Sequence, residues 1–178
     1  GQSESTFEAL NDLNLLHPLF PFNHQPHQLT AFERHALAST DERIRSGKSV
    51  TPAFLLASLL WDAFLVEKHK SSEQGLGLLD AAQAASDIAV LDQLPAIAIP
   101  KRFTQTMKEI WELQDRLEFK VGRRPLRLLE HKRFRAAYDF LLLREKEDPK
   151  LTEPADWWTR VQGEPPDVQR DMLKPLDH

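Results

Sequence analysis

Apolar residues recur at a spacing close to 3.6 along almost the whole chain, and no stretch alternates apolar and polar residues as a half-buried strand would. That period confines the chain to an all-α fold. Prolines cut it into short segments, because each lacks an amide donor and clashes with the turn before it. The expectation is an irregular array of about seven to eight helices and no sheet. A first helix, with Ser3 or Ser5 as N-cap, runs through Phe7, Leu10 and Leu13 to about His17. A second spans about Gln28 to Arg45 and stops at Ser46-Gly47. Thr51-Pro52 reads as an N-cap hydroxyl followed by proline at the first helical position. The helix that it opens, to about Lys68, is apolar all round and belongs in the centre of a bundle. Leu78 to Leu94 is Ala-rich, Pro100 opens a helix to about Lys120, and Gly122 breaks it. A short helix from Pro125 to about Glu130, a longer one from Lys132 to Glu147 and a last one opened by Pro154 precede an irregular tail after Gly163.

Charge is unevenly spread along these helices. Residues 101 to 146 carry 13 Lys/Arg against 7 Asp/Glu, a local +6, whereas the other 132 residues carry 10 against 20, a local −10. The net −4 conceals a basic sector on an acidic body, which points to a local binding face rather than a general polycation. We read residues 2–98 as a helical body and 99–178 as a basic helical region packed with it as one unit. There is no cysteine, hence no disulfide framework or thiolate metal site. No apolar run is long enough to span a bilayer and the first residues lack a signal-peptide succession, so a cytoplasmic protein with no membrane partner is expected.

The candidate binding residues are Lys101, Arg102, Arg123, Arg124, Arg127, Lys132, Arg133 and Arg135. Lys101 and Arg102 stand at the positive end of their helix, and Arg123 and Arg127 are i,i+4 neighbours if helical register persists through Pro125. Together they can line a groove for a phosphodiester backbone. The same residues can also be solvated arginines paired with nearby acids, Arg135 with Asp139 above all. His24, His27 and His35 have no clustered carboxylate or thiolate around them, so no metal site is read there. His131 reads as a junction between two helices. Trp61 and Trp111 lie on core stripes. Trp157 and Trp158 point about 100° apart on a helix, so one is expected to cap the bundle while the other stays partly exposed. There is no Gly-rich phosphate loop, nucleophile elbow or Asp-x-Asp pair, so no catalytic or cofactor-binding residue is assigned. A helix-turn-helix around Gly122 to Pro125 is unattractive because the helix after it is too short and apolar to read bases, and no DNA partner is expected.

Three segments, TPAFLLASLLWDAFL (51 to 65), IAIPKRF (97 to 103) and RRPLRLLEHKRFRAAYDFLLLR (123 to 144), with the later Trp-Trp pair, resemble the C-terminal helical body and leg of bacterial poly(A) polymerases. These belong to the class II nucleotidyltransferase superfamily, which includes tRNA CCA-adding enzymes. The resemblance extends from about Phe7 to Met172. It implies a parent polynucleotide adenylyltransferase that adds AMP from ATP to RNA 3′ ends without a template, in mRNA polyadenylation and RNA decay. ATP and a divalent metal (Mg) would be held by an N-terminal head that this chain lacks, so the chain alone is expected to be inactive and to position RNA. RNA-decay or RNA-chaperone proteins are the partners expected under a competing reading, in which the acidic half of the chain recruits them. The competing expectation is a helical protein-interaction module whose basic cluster is structural.

Overall fold

The computed structural model describes residues 1–21, 28–120 and 125–173. Among them are ten α-helices and two 3₁₀ segments, and no strand. The helices are α1 (Ser3–Asp12), α2 (Leu16–Leu19), α3 (Ala31–Arg45), α4 (Pro52–Leu59), α5 (Trp61–Glu73), α6 (Leu78–Gln93), α7 (Lys101–Glu118), α8 (Phe134–Glu145), α9 (Thr152–Val161) and α10 (Pro166–Leu173). The 3₁₀ segments are Pro125–Glu130 and Pro149–Leu151. Ten helices replace the seven or eight expected, for local reasons. Asn14 adopts a left-handed φ of 56° and ends the first helix early, leaving Leu16–Leu19 as a separate turn. Leu60, at φ −102° and ψ 8°, interrupts the apolar helix after Pro52 and divides it into α4 and α5. The supposed irregular tail contains α10, whose Met172 and Leu173 pack on the core below it.

Three helix ends share one geometry. After α1, α3 and α5 a residue with positive φ (Asn14, Gly47, Gly75) lets the next amide reach back five residues: Leu15 to Leu10, Lys48 to Arg43, Leu76 to Ser71. These are Schellman closures, which satisfy carbonyls that the helix leaves without a partner. Helix starts are less uniform. Thr30 and Glu33 form a capping box on α3, the Thr30 hydroxyl accepting from the Glu33 amide at 3.2 Å and the Glu33 carboxylate from the Thr30 amide at 2.8 Å. Pro52 does take the first helical position, but the Thr51 hydroxyl makes no capping bond. Neither Ser3 nor Ser5 caps α1. Its N-terminus is held by Asp41 of α3, which accepts from the Ser3 amide (2.8 Å), the Ser3 hydroxyl (2.6 Å) and the Glu4 amide (3.2 Å). Burial alone would raise the Asp41 carboxyl pKa, yet these bonds favour the charged form and hold it below the ordinary value.

The chain forms two compact units, Gly1–Glu112 and Leu113–His178, and the division falls inside α7. The first unit is organised around the α5–α6 hairpin, where Ala81, Ala82, Ala85 and Ala89 are buried and let the helices approach closely. Trp61, Phe64 and Trp111 stack in sequence at 5.1 and 5.2 Å, and the Trp111 indole donates to the Ala57 carbonyl at 3.0 Å. Buried Gln93 ties α6 to α2 by donating to the Leu19 carbonyl at 2.7 Å.

In the second unit Leu113, Leu117, Leu128, Phe134, Tyr138, Leu141, Trp157 and Trp158 share one core. Both tryptophans are buried, against the expectation that one would stay partly exposed. Their rings meet edge to face at 4.8 Å and 86°, so Trp157 finds cover on its neighbour, while the Trp158 indole donates to the Leu117 carbonyl at 2.8 Å.

Candidate nucleic-acid interface

Of the eight sequence-selected cations, Arg123 and Arg124 lie outside the described residues, as do His24, His27 and Gly122. In the first unit Lys101 and Arg102 open α7 immediately after Pro100, and both are exposed. The Arg102 guanidinium lies 4.7 Å from the centroid of the Phe103 ring, which restrains it without neutralising its charge.

The second unit holds the other four around a single junction. Arg127 is exposed on the 3₁₀ segment Pro125–Glu130, and its expected i,i+4 relation to Arg123 lies outside the described residues. Lys132 and Arg133 are the central residues of a turn closed by the Phe134 amide on the His131 carbonyl at 2.8 Å. The His131 ring sits at the junction, its Nδ1 accepting from the Arg133 amide at 3.0 Å, and so fixes the turn that starts α8. Lys132 is exposed and Arg133 half-buried.

Arg135 follows on the first turn of α8. Its guanidinium contacts both Asp139 oxygens, at 3.1 and 3.3 Å, and lies 5.6 Å from the Tyr138 ring centroid. The i,i+4 pair expected from the spacing is therefore formed. The Arg135 side chain nevertheless remains 71% exposed, so its outer face is open to a ligand. Tyr138 shares its hydroxyl with Thr159 at 2.6 Å, which joins α8 to α9.

Other cations of the basic sector are committed to the fold. Lys120, at φ 52°, follows the end of α7 with its side chain only 7% exposed. Its amine reaches both Glu153 oxygens at 2.8 and 2.7 Å, and lies 5.5 Å from the Trp157 ring centroid. Arg144 donates to Gln114 (3.2 Å) and Glu118 (2.9 Å), while the Gln114 amide donates to the Ala137 carbonyl at 3.1 Å. Lys108 of the first unit pairs with Asp87. Sequence reasoning did not single out Glu153, because an ion pair between residues 33 apart leaves no spacing signal.

Glu112 is the other perturbed carboxyl. Burial raises its pKa, the Ser86 hydroxyl at 2.8 Å works against that, and Asp87 raises it further. Among the described residues no group of three His, Cys, Asp or Glu converges as a metal site would require. No helix of the described residues is long and apolar enough to cross a membrane.

The geometry thus presents a basic junction supported by an internal polar frame, and comparison with known proteins connects it to a family. Residues 74–178 match the family model described as "Polymerase A arginine-rich C-terminus". Over 188 residues the chain is 36% identical to poly(A) polymerase I of Salmonella typhimurium, covering 99% of this chain and 40% of that protein. It is 34% identical over 186 residues to poly(A) polymerase I of Escherichia coli O157:H7, with the same coverage. To that of Haemophilus influenzae it is 37% identical over 174 residues, which is 91% of this chain and 38% of the relative. The chain therefore spans about 40% of the length of the curated relatives that it matches. It belongs to the polymerase A arginine-rich C-terminus family.

Proposed function

We propose that this chain is the noncatalytic, RNA-holding helical region of a polynucleotide adenylyltransferase, an enzyme that adds AMP from ATP to RNA 3′ ends without a template. The observation that carries the reading is the junction before α8, where Arg127, Lys132 and Arg135 are exposed within nine residues on a +6 stretch of chain. Cations grouped in this way attract a phosphodiester backbone and displace its counterions. Lys101 and Arg102 supply a further positive position at the start of α7.

The divalent metal used in nucleotidyl transfer has no fitting donor set among the described residues, and no catalytic step is assigned to them. The similarity to poly(A) polymerase I supports RNA over other polyanions.

Titration of a labelled single-stranded RNA at several salt concentrations tests the proposal. Affinity is expected to fall steeply with salt, and reversing Arg127, Lys132 and Arg135 to Glu should reduce the log–log slope by about 2, at roughly 0.7 for each lost phosphate contact. An unchanged slope would place the interface elsewhere. The interaction-module reading draws its support from the pairs Lys120–Glu153, Arg144–Glu118 and Arg135–Asp139, in which cations are matched by carboxylates of the same chain. Under that reading the triple reversal lowers thermal stability and leaves RNA affinity alone.

A further inference from the structure

Phe119 is 54% exposed, whereas Phe134, Tyr138, Phe140, Trp157 and Trp158, the other described aromatics of its unit, are all buried. A phenylalanine left in water forgoes the roughly 1.5–3 kcal/mol that burial provides, so its position calls for a physical reason.

The ring stands on a backbone fixed from both sides. Its amide continues the α7 ladder by donating to the Asp115 carbonyl at 2.9 Å, which places Arg116, three residues earlier, on the same side of the helix. The preceding Leu117 carbonyl is held by the Trp158 indole. On the other side Lys120 turns the chain through its left-handed conformation and is latched to Glu153 and Trp157.

A protein-docking surface would need neighbouring apolar side chains, since such patches extend over hundreds of Å². Among the described residues of this unit, the only other exposed large apolar side chain is Val168 of α10, so among them Phe119 belongs to no broad apolar patch. An isolated planar apolar ring, carried by a +6 stretch of chain, fits a partner that is both planar and anionic. Unpaired bases on a phosphate backbone have that chemistry, and single-strand-binding proteins pair aromatic platforms with cationic grooves.

We propose that Phe119 is a stacking platform for an unpaired base, with Arg116 one turn earlier serving an adjacent phosphate. This rests on the RNA-holding reading above and adds a base-contacting site to it. The platform tolerates any base, because every base offers a π face.

The full 178-residue chain and a fluorescein-labelled oligoadenylate test the proposal by anisotropy. Phe119→Ala should weaken binding about 10-fold, as expected for a contact of ~1–3 kcal/mol, and leave the salt slope unchanged because the ring neutralises no phosphate. Phe119→Leu, apolar but not planar, should lose nearly as much. Phe119→Trp should retain affinity, and its emission should be quenched by RNA, a readable signal because all four native tryptophans are buried. Circular dichroism should be the same for every variant, since the replaced ring is exposed. Salt-sensitive binding that is equally tight in wild type, Phe119→Ala and Phe119→Leu would overturn the platform and leave the RNA reading standing. Absence of RNA binding by the wild-type chain would overturn both.

Discussion

Glu112 shows how a single carboxyl can count against the fold at neutral pH. Desolvation between α6 and α7 raises its pKa, Asp87 adds to the shift, and the Ser86 hydroxyl only partly offsets them. A carboxyl raised in the folded state contributes stability below its unfolded value, near 4.5, and that contribution is lost as pH rises through the folded value. Glu112→Gln keeps an acceptor for Ser86 and removes the charge. It should raise the melting temperature at pH 7 by about 2 °C, with the difference from wild type closing below pH 4.5 in thermal melts. Asp41 is the opposite case, a buried carboxylate held in its charged form by the amides of α1. Neither environment was legible from composition. Asp41 and Ser3 are 38 residues apart, Glu112 and Ser86 are 26 apart, and no periodic pattern reports such contacts.

At the scale of helices and turns, the 3.6 spacing identified most of the segments, while their ends depended on single residues. The stop at Ser46-Gly47 was readable because glycine adopts positive φ without a steric penalty. The break at Leu60 was not, since leucine carries no stop signal and the division between α4 and α5 comes from packing around it. Gly47 and Gly75 permit a clean test of the closures, because a Cβ at either would meet no atom within 4 Å. Alanine there costs only the left-handed backbone, so Gly47→Ala and Gly75→Ala should each destabilise by about 1 kcal/mol in urea titrations. The Lys120 latch is a further element-scale feature. A lysine that charge counting places on the basic surface instead covers Trp157 and leaves only Glu153 in water. This cover also helps both adjacent tryptophans to be buried, which the angle between neighbouring helical positions argued against.

Across the whole molecule, charge segregation is the property most closely tied to the proposed function. The basic sector on an acidic body was visible in the sequence, and the structure separates its cations into two groups. Lys101, Arg102, Arg127, Lys132 and Arg135 are exposed, Arg135 while also paired with Asp139, whereas the side chains of Lys120 and Arg144 are largely buried against carboxylates. The proposed division of labour predicts that the purified chain transfers no AMP from ATP to an RNA primer under conditions in which it binds that primer. Radiolabelled extension assays check this, and measurable adenylation would overturn the noncatalytic reading. What the sequence determined by itself was the all-α class, the charge asymmetry and the family resemblance, because periodicity, composition and residue order are properties of the chain. Only tertiary structure decided which cations remain on the surface, which carboxyls are perturbed and which aromatic ring stands in water. Each of those depends on partners that folding brings together from distant positions, through desolvation and hydrogen bonding that act over a few ångströms of space.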